Sequence, residues 1–353
     1  MGLIAELTHR CPLQCAYCAN PVEMVRPTEE LSTAEWLDVI DQAAAIGILQ
    51  LHLTGGEPMA RRDLADIIAH AARRGLYTNL ITSGVLLTDK AMAQLMEAGI
   101  DHIQLSFQEA SEEAGDRFGG YRGGHARKLE AAQRIREAGL TLTTNFVIHR
   151  QNIANLDQMI ALGEALGSDR IEVAHAQYYG WALLNRAALL PTRAQLDDAN
   201  ALVAQARARL AGRIVIDYVV PDYYAERPKA CMSGWGNRFI HLLPSGKALP
   251  CHAAETIPGL RFASVRDTRL ADIWANDPAF ARFRGTEWMP QPCQGCDRRE
   301  IDWGGCRCQA LALAGDAAAT DPACALAPAH HVMEAIIAAP VTDPPLIPRR
   351  LHA

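Results

Sequence analysis

The chain has 353 residues and a net charge of −6, with 49% apolar and 21% charged residues. That is the make-up of an ordinary globular protein, large enough for one sizeable domain and a smaller one. No basic block supports a nucleic-acid partner and no apolar run is long enough to span a membrane. No signal-peptide pattern is found, so a cytoplasmic setting is expected. In that setting ten cysteines read as metal ligands rather than disulfides. They fall into two groups: Cys11, Cys15 and Cys18, then Cys231, Cys251, Cys293, Cys296, Cys306, Cys308 and Cys324, with none between.

In chain order, a strand-like run from Leu3 to Thr8 enters Cys11-Pro-Leu-Gln-Cys15-Ala-Tyr17-Cys18. Three thiolates on one loop suit three corners of a cubane iron–sulfur cluster and leave one iron without a cysteine, short of the usual four. The same spacing also reads as half of a zinc site. A polar connection follows, and Ser32 or Thr33 caps a helix that reaches about Ile46. A second strand, Leu49–Thr54, runs into Gly55-Gly56-Glu57-Pro58. Two glycines let backbone approach a ligand closely, and Glu57 is suited to an ammonium group. Helices are predicted from Arg61 to Arg74, from Thr88 to Gly99, from His125 to Ala138, from Leu156 to Gly167 and from Pro191 to Ala211. Strands are predicted at Leu76–Thr82, Ile100–Phe107, Leu140–Ile148, Ile171–Ala176 and Arg213–Val220, with Gly115–Gly124 a glycine-rich loop.

This β–α alternation argues for a parallel sheet with helices outside. Its six βα units fall short of the eight of a full TIM barrel. Ligand chemistry is expected at the C-terminal strand ends, where the cysteine loop, Gly55–Pro58, Ser83, Ser106, Gln108, Asn145 and His175-Ala176-Gln177 fall. From Pro221 the composition shifts toward Gly, Pro and Cys. The expected organisation is a barrel over residues 1–220, a Cys-rich domain over 221–331, and a short helix with a Pro-rich, partly disordered tail over 332–353.

The Cys11–Cys18 loop, with Tyr17 at its aromatic position and Gly55–Pro58 one βα unit later, resembles the radical S-adenosylmethionine (SAM) superfamily. The resemblance implies a partial (βα)6, TIM-like barrel and a [4Fe-4S] cluster held by Cys11, Cys15 and Cys18. SAM's amine and carboxylate would chelate the open iron. SAM contacts are implied at Tyr17, Gly55, Gly56, Glu57 and Pro58, with Ser106 and Gln108 toward its ribose or carboxylate and Asn145 lining the pocket. Each of the last three reads equally as an ordinary strand-end polar residue. No catalytic side chain stands out beyond the cluster and SAM.

The later cysteines taken alone read as one or two structural zinc sites in a domain with little core. Their order, Cys231-x14-Gly246-x4-Cys251, then Cys293-x2-Cys296, Cys306-x-Cys308 and Cys324, resembles the SPASM extension of radical SAM enzymes, a carrier of auxiliary iron–sulfur clusters. One position departs from the family pattern: Asp302 stands where a cysteine is usual. Carried over, auxiliary cluster II would be held by Cys293, Cys296, Asp302 and Cys324. Auxiliary cluster I would be held by Cys231, Cys251 and Cys306, with Cys308 the spare thiol that completes it. A carboxylate is a harder ligand than a thiolate, so a shifted potential is expected. Asp302 also reads as a loop acid or helix cap.

Further runs resemble the peptide-modifying branch of pyrroloquinoline quinone (PQQ) biosynthesis over Leu3–His331: Ala5–Cys18, Ile103–Gln108, Cys231–Gly236, Leu249–Ala254, Phe283–Gly285, Trp288–Pro290 and Gly304–Ala310. That resemblance implies a 5′-deoxyadenosyl radical that takes a hydrogen from a glutamate side chain of the precursor peptide PqqA. The carbon radical then bonds to a tyrosine ring of the same peptide, and loss of an electron and a proton restores aromaticity. The implied partners are PqqA, its chaperone PqqD and an electron donor such as flavodoxin. Thioether-forming and sulfatase-maturing SPASM enzymes share the cluster motifs and are the alternative. His241, His252, His330 and His331 read as proton carriers or as structural and surface histidines.

Overall fold

The computed structural model describes residues 1–351. Seven parallel strands build its body: β1 (Gly2–Glu6), β2 (Gln50–Thr54), β3 (Tyr77–Thr82), β4 (His102–Phe107), β5 (Thr141–Ile148), β6 (Arg170–His175) and β7 (Val215–Val219). They lie side by side in sequence order, the arrangement that right-handed β–α–β crossovers produce. Leu3 stands opposite Leu51 and Ser106 opposite Asn145. The two edge strands of the sheet do not pair with each other, so the barrel is partial.

Strand alternation sorts the residues onto two faces. Leu3, Ala5, Leu51, Leu53, Leu80, Ile103, Leu105, Ile171 and Val173 are buried against the outer helices in one continuous core. Gln50, His52, Asn79, His102, Gln104, Thr143 and Glu172 line a broad cavity on the concave face. The inside of this open barrel is therefore polar, where a closed TIM barrel is filled with branched apolar side chains.

Helix ends follow local chemistry. Ser32, rather than Thr33, caps the helix Thr33–Ala45 in a reciprocal pair with Glu35. The predicted loop at 115–124 is instead largely helical, over Glu112–Gly119. Ser111 accepts from Ala114 N–H, and Glu112 and Glu113 sit in the positive first turn. Gly120, in the left-handed region at φ 61°, stops it.

Beyond Pro221 the sheet continues. Strand β8 (Phe239–Leu242) pairs in parallel with β1, and the two-residue β9 (Ala248–Leu249) pairs antiparallel with β8. Ile240, Leu242, Leu270, Ile273 and Phe280 join the barrel core. A second small core gathers Trp235, Leu243, Leu249, Ile257 and Phe283 with Cys251, Cys306 and Cys308. The Pro-rich terminal segment, expected to be partly disordered, lies back across the molecule. Ile347 N–H donates to Asn185 Oδ1 at 2.7 Å, and Asn185 Nδ2 returns a bond to the Ile347 carbonyl at 2.8 Å. Arg349 beyond them is 1% exposed.

Candidate functional site

The Cys11–Cys18 loop leaves the C-terminal end of β1, and its backbone is held from several sides. Gly56 N–H donates to the Thr8 carbonyl at 2.6 Å and Glu57 N–H to the Arg10 carbonyl at 2.7 Å. Gln14 N–H reaches the Gly119 carbonyl, Ala182 N–H the Cys18 carbonyl, and Asn185 Nδ2 the Ala16 carbonyl. A Cβ on Gly55, whose φ is +142°, would stand 2.3 Å from the Thr8 carbonyl oxygen. One on Gly56 would stand 2.5 Å from that of Arg10. The two glycines therefore admit the cysteine loop itself, not only a ligand.

Glu57 also differs from its sequence reading. It is fully buried. Oε1 accepts from Met59 N–H at 3.0 Å and Thr82 Oγ1 at 2.7 Å; Oε2 accepts from Ser83 N–H at 2.9 Å and Ser83 Oγ at 2.5 Å. Protein donors already occupy both oxygens, so Glu57 ties the turn to the end of β3. What the turn offers a ligand is its backbone, with Pro58 buried behind it.

Tyr17 is buried and bonds to Gln108 and Cys15. Gln108 Oε1 accepts from Lys128 Nζ at 2.5 Å, and the same ammonium donates to the Ser106 carbonyl at 2.7 Å. Lys128 escaped the sequence reading; a lone lysine on a helix normally faces solvent. This one is 1% exposed and puts a cation near Cys15, Glu57 and Cys11. Asn145 falls elsewhere: it donates to Glu172 Oε2 at 3.1 Å, alongside Gln104, inside the barrel.

Burial pushes the Cys11 thiol up to about 12, with the Glu57 and Cys15 charges adding to it, and pushes Cys18 up to about 11. Burial likewise raises Cys15. Three crowded thiolates are thus unfavourable unless cations sit among them, which iron would provide. Beside Lys128, a second fixed cation is already there. Arg349 N–H donates to the Gln14 carbonyl at 3.2 Å, its Nη2 donates to the His9 carbonyl, and its charge favours the thiolate form of all three cysteines. Its buried Nε has no hydrogen-bond partner among the described residues.

The second cysteine field forms two donor sets. Cys231 and Cys308 donate to Cys251 and Cys306; those hydrogen bonds hold the first pair well above, and the second pair well below, the usual thiol range. All four belong to one contact group, and Cys308 is part of it. Tyr179 Oη lies 2.9 Å from Cys306 Sγ. Cys293, Cys296, Asp302 and Cys324 line a separate pocket with Thr320 and Arg299. Asp302 is buried, and its Oδ1 accepts from Gly304 N–H at 3.1 Å. Among the described residues no three His, Cys, Asp or Glu side chains are spaced to hold a single metal ion. The fit to iron–sulfur clusters rests on the thiol-rich donor sets.

Of the four histidines named above, His241 is buried and His252 half-buried, and both are structural in setting. Glu6 joins His9 Nε2 at 2.9 Å to His241 Nε2 at 3.0 Å. His252 packs on Tyr179 beside Cys251. Burial would lower its pKa, but the Cys251 thiolate lifts it to about 9. His330 Nδ1 lies 2.8 Å from the Pro322 carbonyl, and His331 is exposed.

A radical SAM superfamily model matches residues 5–163, and an iron–sulfur cluster-binding (SPASM) domain model matches residues 231–297. The chain is 63% identical over 339 residues to a PqqA peptide cyclase of Granulibacter bethesdensis, covering 96% of this chain and 91% of that one. It is 55% identical over 334 residues to a PqqA peptide cyclase of Gluconobacter oxydans, covering 95% and 93%. The chain belongs to the PqqA peptide cyclase family. Membership makes it a radical SAM enzyme whose cofactors are a [4Fe-4S] cluster, SAM and auxiliary iron–sulfur clusters. Solved structures share the fold at low identity. Streptococcus suis SuiB bound to S-adenosylmethionine matches with a TM-score of 0.73 at 19% identity, covering 88% of this chain and 74% of that one. Native anSMEcpe with bound AdoMet matches at 0.64 and 12% identity, covering 95% of each.

Proposed function

We propose that this enzyme acts in PQQ biosynthesis by joining a glutamate and a tyrosine side chain of the peptide PqqA through a new carbon–carbon bond. The observation that carries this reading is identity of 55–63% along nearly the whole chain to PqqA peptide cyclases, together with three donor sets suited to the cofactors of that family. Residues 1–220 supply the seven βα strands of the barrel, 221–331 carry the auxiliary cysteines and lend β8 to the same sheet, and the described residues after 331 form the terminal strap. The reductively cleaved SAM supplies a 5′-deoxyadenosyl radical able to take hydrogen from an unactivated carbon.

The chain's own residues do the rest. Cys11, Cys15 and Cys18 would hold the first cluster. The Gly55–Pro58 backbone would receive the amine of SAM, while Lys128, steadied by Gln108 and the Ser106 carbonyl, would provide the positive charge for its carboxylate. Tyr17 would close the pocket beside Cys15, and Asn145 would help set the polar floor. Cys231, Cys251, Cys306 and Cys308 would hold one auxiliary cluster; Cys293, Cys296, Asp302 and Cys324 would hold the other. Such a radical must be shielded from solvent, so the barrel mouth is expected to close around the peptide. PqqA arrives with its chaperone PqqD, an electron donor such as flavodoxin supplies the reducing equivalents, and the reaction belongs in the cytoplasm.

The test is an anaerobic reaction with SAM, a low-potential reductant, PqqA and PqqD, read by mass spectrometry. Loss of two hydrogens from PqqA, with fragments mapping a Glu–Tyr cross-link, is the expected result. SAM cleavage with PqqA unchanged would move the substrate assignment to another peptide, as in thioether-forming or sulfatase-maturing enzymes.

A further inference from the structure

One buried charge of the Cys-rich region has no acidic partner. Arg307 stands between Cys306 and Cys308 at the start of the helix Arg307–Ala314 and is 1% exposed. Its Nη1 donates to the Ala317 carbonyl at 2.9 Å and to the Ala319 carbonyl at 2.7 Å; Nη2 donates to the Gly304 carbonyl, and Nε to that of Gly305 at 3.3 Å. The guanidinium also lies over the Trp288 ring, 4.6 Å from its centre. Every acceptor is thus a carbonyl, and no carboxylate of the described residues forms an ion pair with it. The acid it feels most is Asp321. Cys306 N–H at 2.6 Å, Gln309 Nε2 at 2.9 Å and Ala323 N–H at 3.0 Å already hold that carboxylate. Burial and the Cys306 charge lift its pKa to about 7, so at neutral pH it carries only part of a charge.

The loops around this cation belong to both auxiliary donor sets. On one side its own neighbours Cys306 and Cys308 are bonded to Cys231 and Cys251. On the other, the Ala319 carbonyl leads into Thr320, whose hydroxyl accepts from Cys293 Sγ at 3.4 Å, and Gly304 donates its N–H to Asp302 Oδ1 at 3.1 Å. The charges reach accordingly. Arg307 favours the thiolate of Cys293, and Cys306, Cys231 and Cys293 favour the charged guanidinium. The backbone bends to make this cage. Trp303, Gly304 and Gly305 follow one another in the left-handed region, at φ 54°, 74° and 78°, a conformation costly for a tryptophan. The carbonyls of the two glycines are among those that hold the guanidinium.

Burying a cation away from any acid is unfavourable unless opposite charge is supplied. Four carbonyl dipoles supply part of it. The rest is at hand when iron is bound, because a cluster with an anionic ligand on every iron carries net negative charge. We propose that Arg307 is the shared counter-ion of the two auxiliary clusters and raises the reduction potential of both. A fixed cation favours the form that has gained an electron, since that form is more negative by one charge. Burial beneath Trp288 keeps water and salt from screening it. The inference rests on the ligand sets proposed above for these clusters and adds a positioning residue common to both surroundings. By easing electron uptake at both sites, Arg307 serves the step of the proposed cross-linking in which the ring gives up one electron to an auxiliary site and one proton to solvent as aromaticity returns.

The experiment is a redox titration of the iron-loaded enzyme followed by EPR, without peptide. In Arg307→Gln the one-electron reduction equilibrium of both auxiliary sites should become about tenfold less favourable, a fall of about 59 mV in each midpoint potential, while the first cluster's potential stays in place. Arg307→Lys keeps the charge and should recover most of the fall. Trp288→Leu leaves the guanidinium in place but admits water to it, so both potentials should fall in the same sense by less. Unchanged potentials in Arg307→Gln, or a fall at one auxiliary site alone, overturn the proposal. So does an equal fall in Arg307→Gln and Arg307→Lys, which would mark a purely structural role. Where Arg307→Gln fails to fold or to take up iron, Trp288→Leu decides: a parallel fall at both sites supports the proposal and potentials equal to the parent's overturn it. A loaded parent enzyme without auxiliary signals would overturn the ligand sets instead, so the two failures are told apart.

Discussion

The two cysteine fields solve the same problem in opposite ways. The first puts three thiols within eight residues of one loop and uses its neighbours to hold the backbone. Gly56, Glu57, Gly119, Ala182 and Arg349 all bond to that loop or its approach. The second spreads seven thiols and one carboxylate from Cys231 to Cys324 and brings them together through a small core and the short strands β8 and β9. A ligand set on one loop depends on a few close backbone approaches. A ligand set drawn from distant segments depends on the folding of the whole region, so its clusters are in effect part of its core.

The largest expected effect breaks the first field alone. Replacing Cys11, Cys15 and Cys18 together by alanine should abolish SAM cleavage and remove the SAM-responsive EPR signal, while the auxiliary signals survive. Loss of every cluster signal at once would show that the two fields do not fold independently. The next effect strikes the same loop without touching a ligand. In Gly56→Ala the new Cβ meets the His9 and Arg10 carbonyl oxygens at 2.6 and 2.5 Å, and neither backbone atom can yield cheaply. The turn must move off the loop, so SAM cleavage should fall about tenfold or more, with iron lost from this site in preference to the others. An activity equal to the parent's would mean that the loop and turn are not held as described.

How far each field was legible follows from where its information lies. Cys11, Cys15, Cys18 and Gly55–Pro58 are local strings, so their spacing alone places them at strand ends. The β–α order likewise gave the partial barrel, since each strand's apolar alternation is written in consecutive residues. Lys128 was hidden because nothing local distinguishes a buried lysine from a solvated one; only the facing β4 end, with Ser106 and Gln108, explains it. Glu57 was misread for the same reason, its oxygens being filled by Thr82 and Ser83 from β3. Strand β8 was missed because its four residues are too few for a period, and its partner, β1, lies more than two hundred residues earlier. Arg349 sits in a segment whose prolines argue for disorder, and only contact with Gln14 and His9 orders it.

Two milder changes sharpen the comparison. Asp302→Ala removes one donor from the cavity shared with Cys293, Cys296 and Cys324, and should change the EPR spectrum and iron content of that auxiliary site while leaving SAM cleavage by the first cluster in place. Asp302→Cys should restore the iron with a different potential, since thiolate and carboxylate differ in hardness. Spectra identical to the parent's in both variants would take Asp302 off the ligand set. Arg349→Gln removes one of the two fixed cations beside the first loop and should shift the first cluster's midpoint potential to more negative values, because a nearby positive charge favours the reduced, more negative cluster. Arg349→Lys should recover most of the shift; equal potentials in all three proteins would make Arg349 only a strap.

The smallest expected effect concerns Lys128 and is read as stability against pH. Burial lowers the pKa of its ammonium from 10.5 to about 8, even though Cys15, Glu57 and Cys11 pull the other way. The unfolded chain therefore binds this proton more tightly than the folded one. Below pH 8 both states are protonated, and the charged lysine costs the fold about 3 kcal/mol. Between about pH 8 and 10.5 the folded state releases the proton first and the cost is relieved, so this residue's contribution to stability rises with pH. The expected result is a urea midpoint for the metal-free chain that climbs from pH 7 to pH 10 relative to Lys128→Met. Other groups titrate in that range in both proteins and cancel in the difference. A difference flat with pH would mean that Lys128 reaches solvent, and its role as the fixed charge beside the cysteine loop would fall with it.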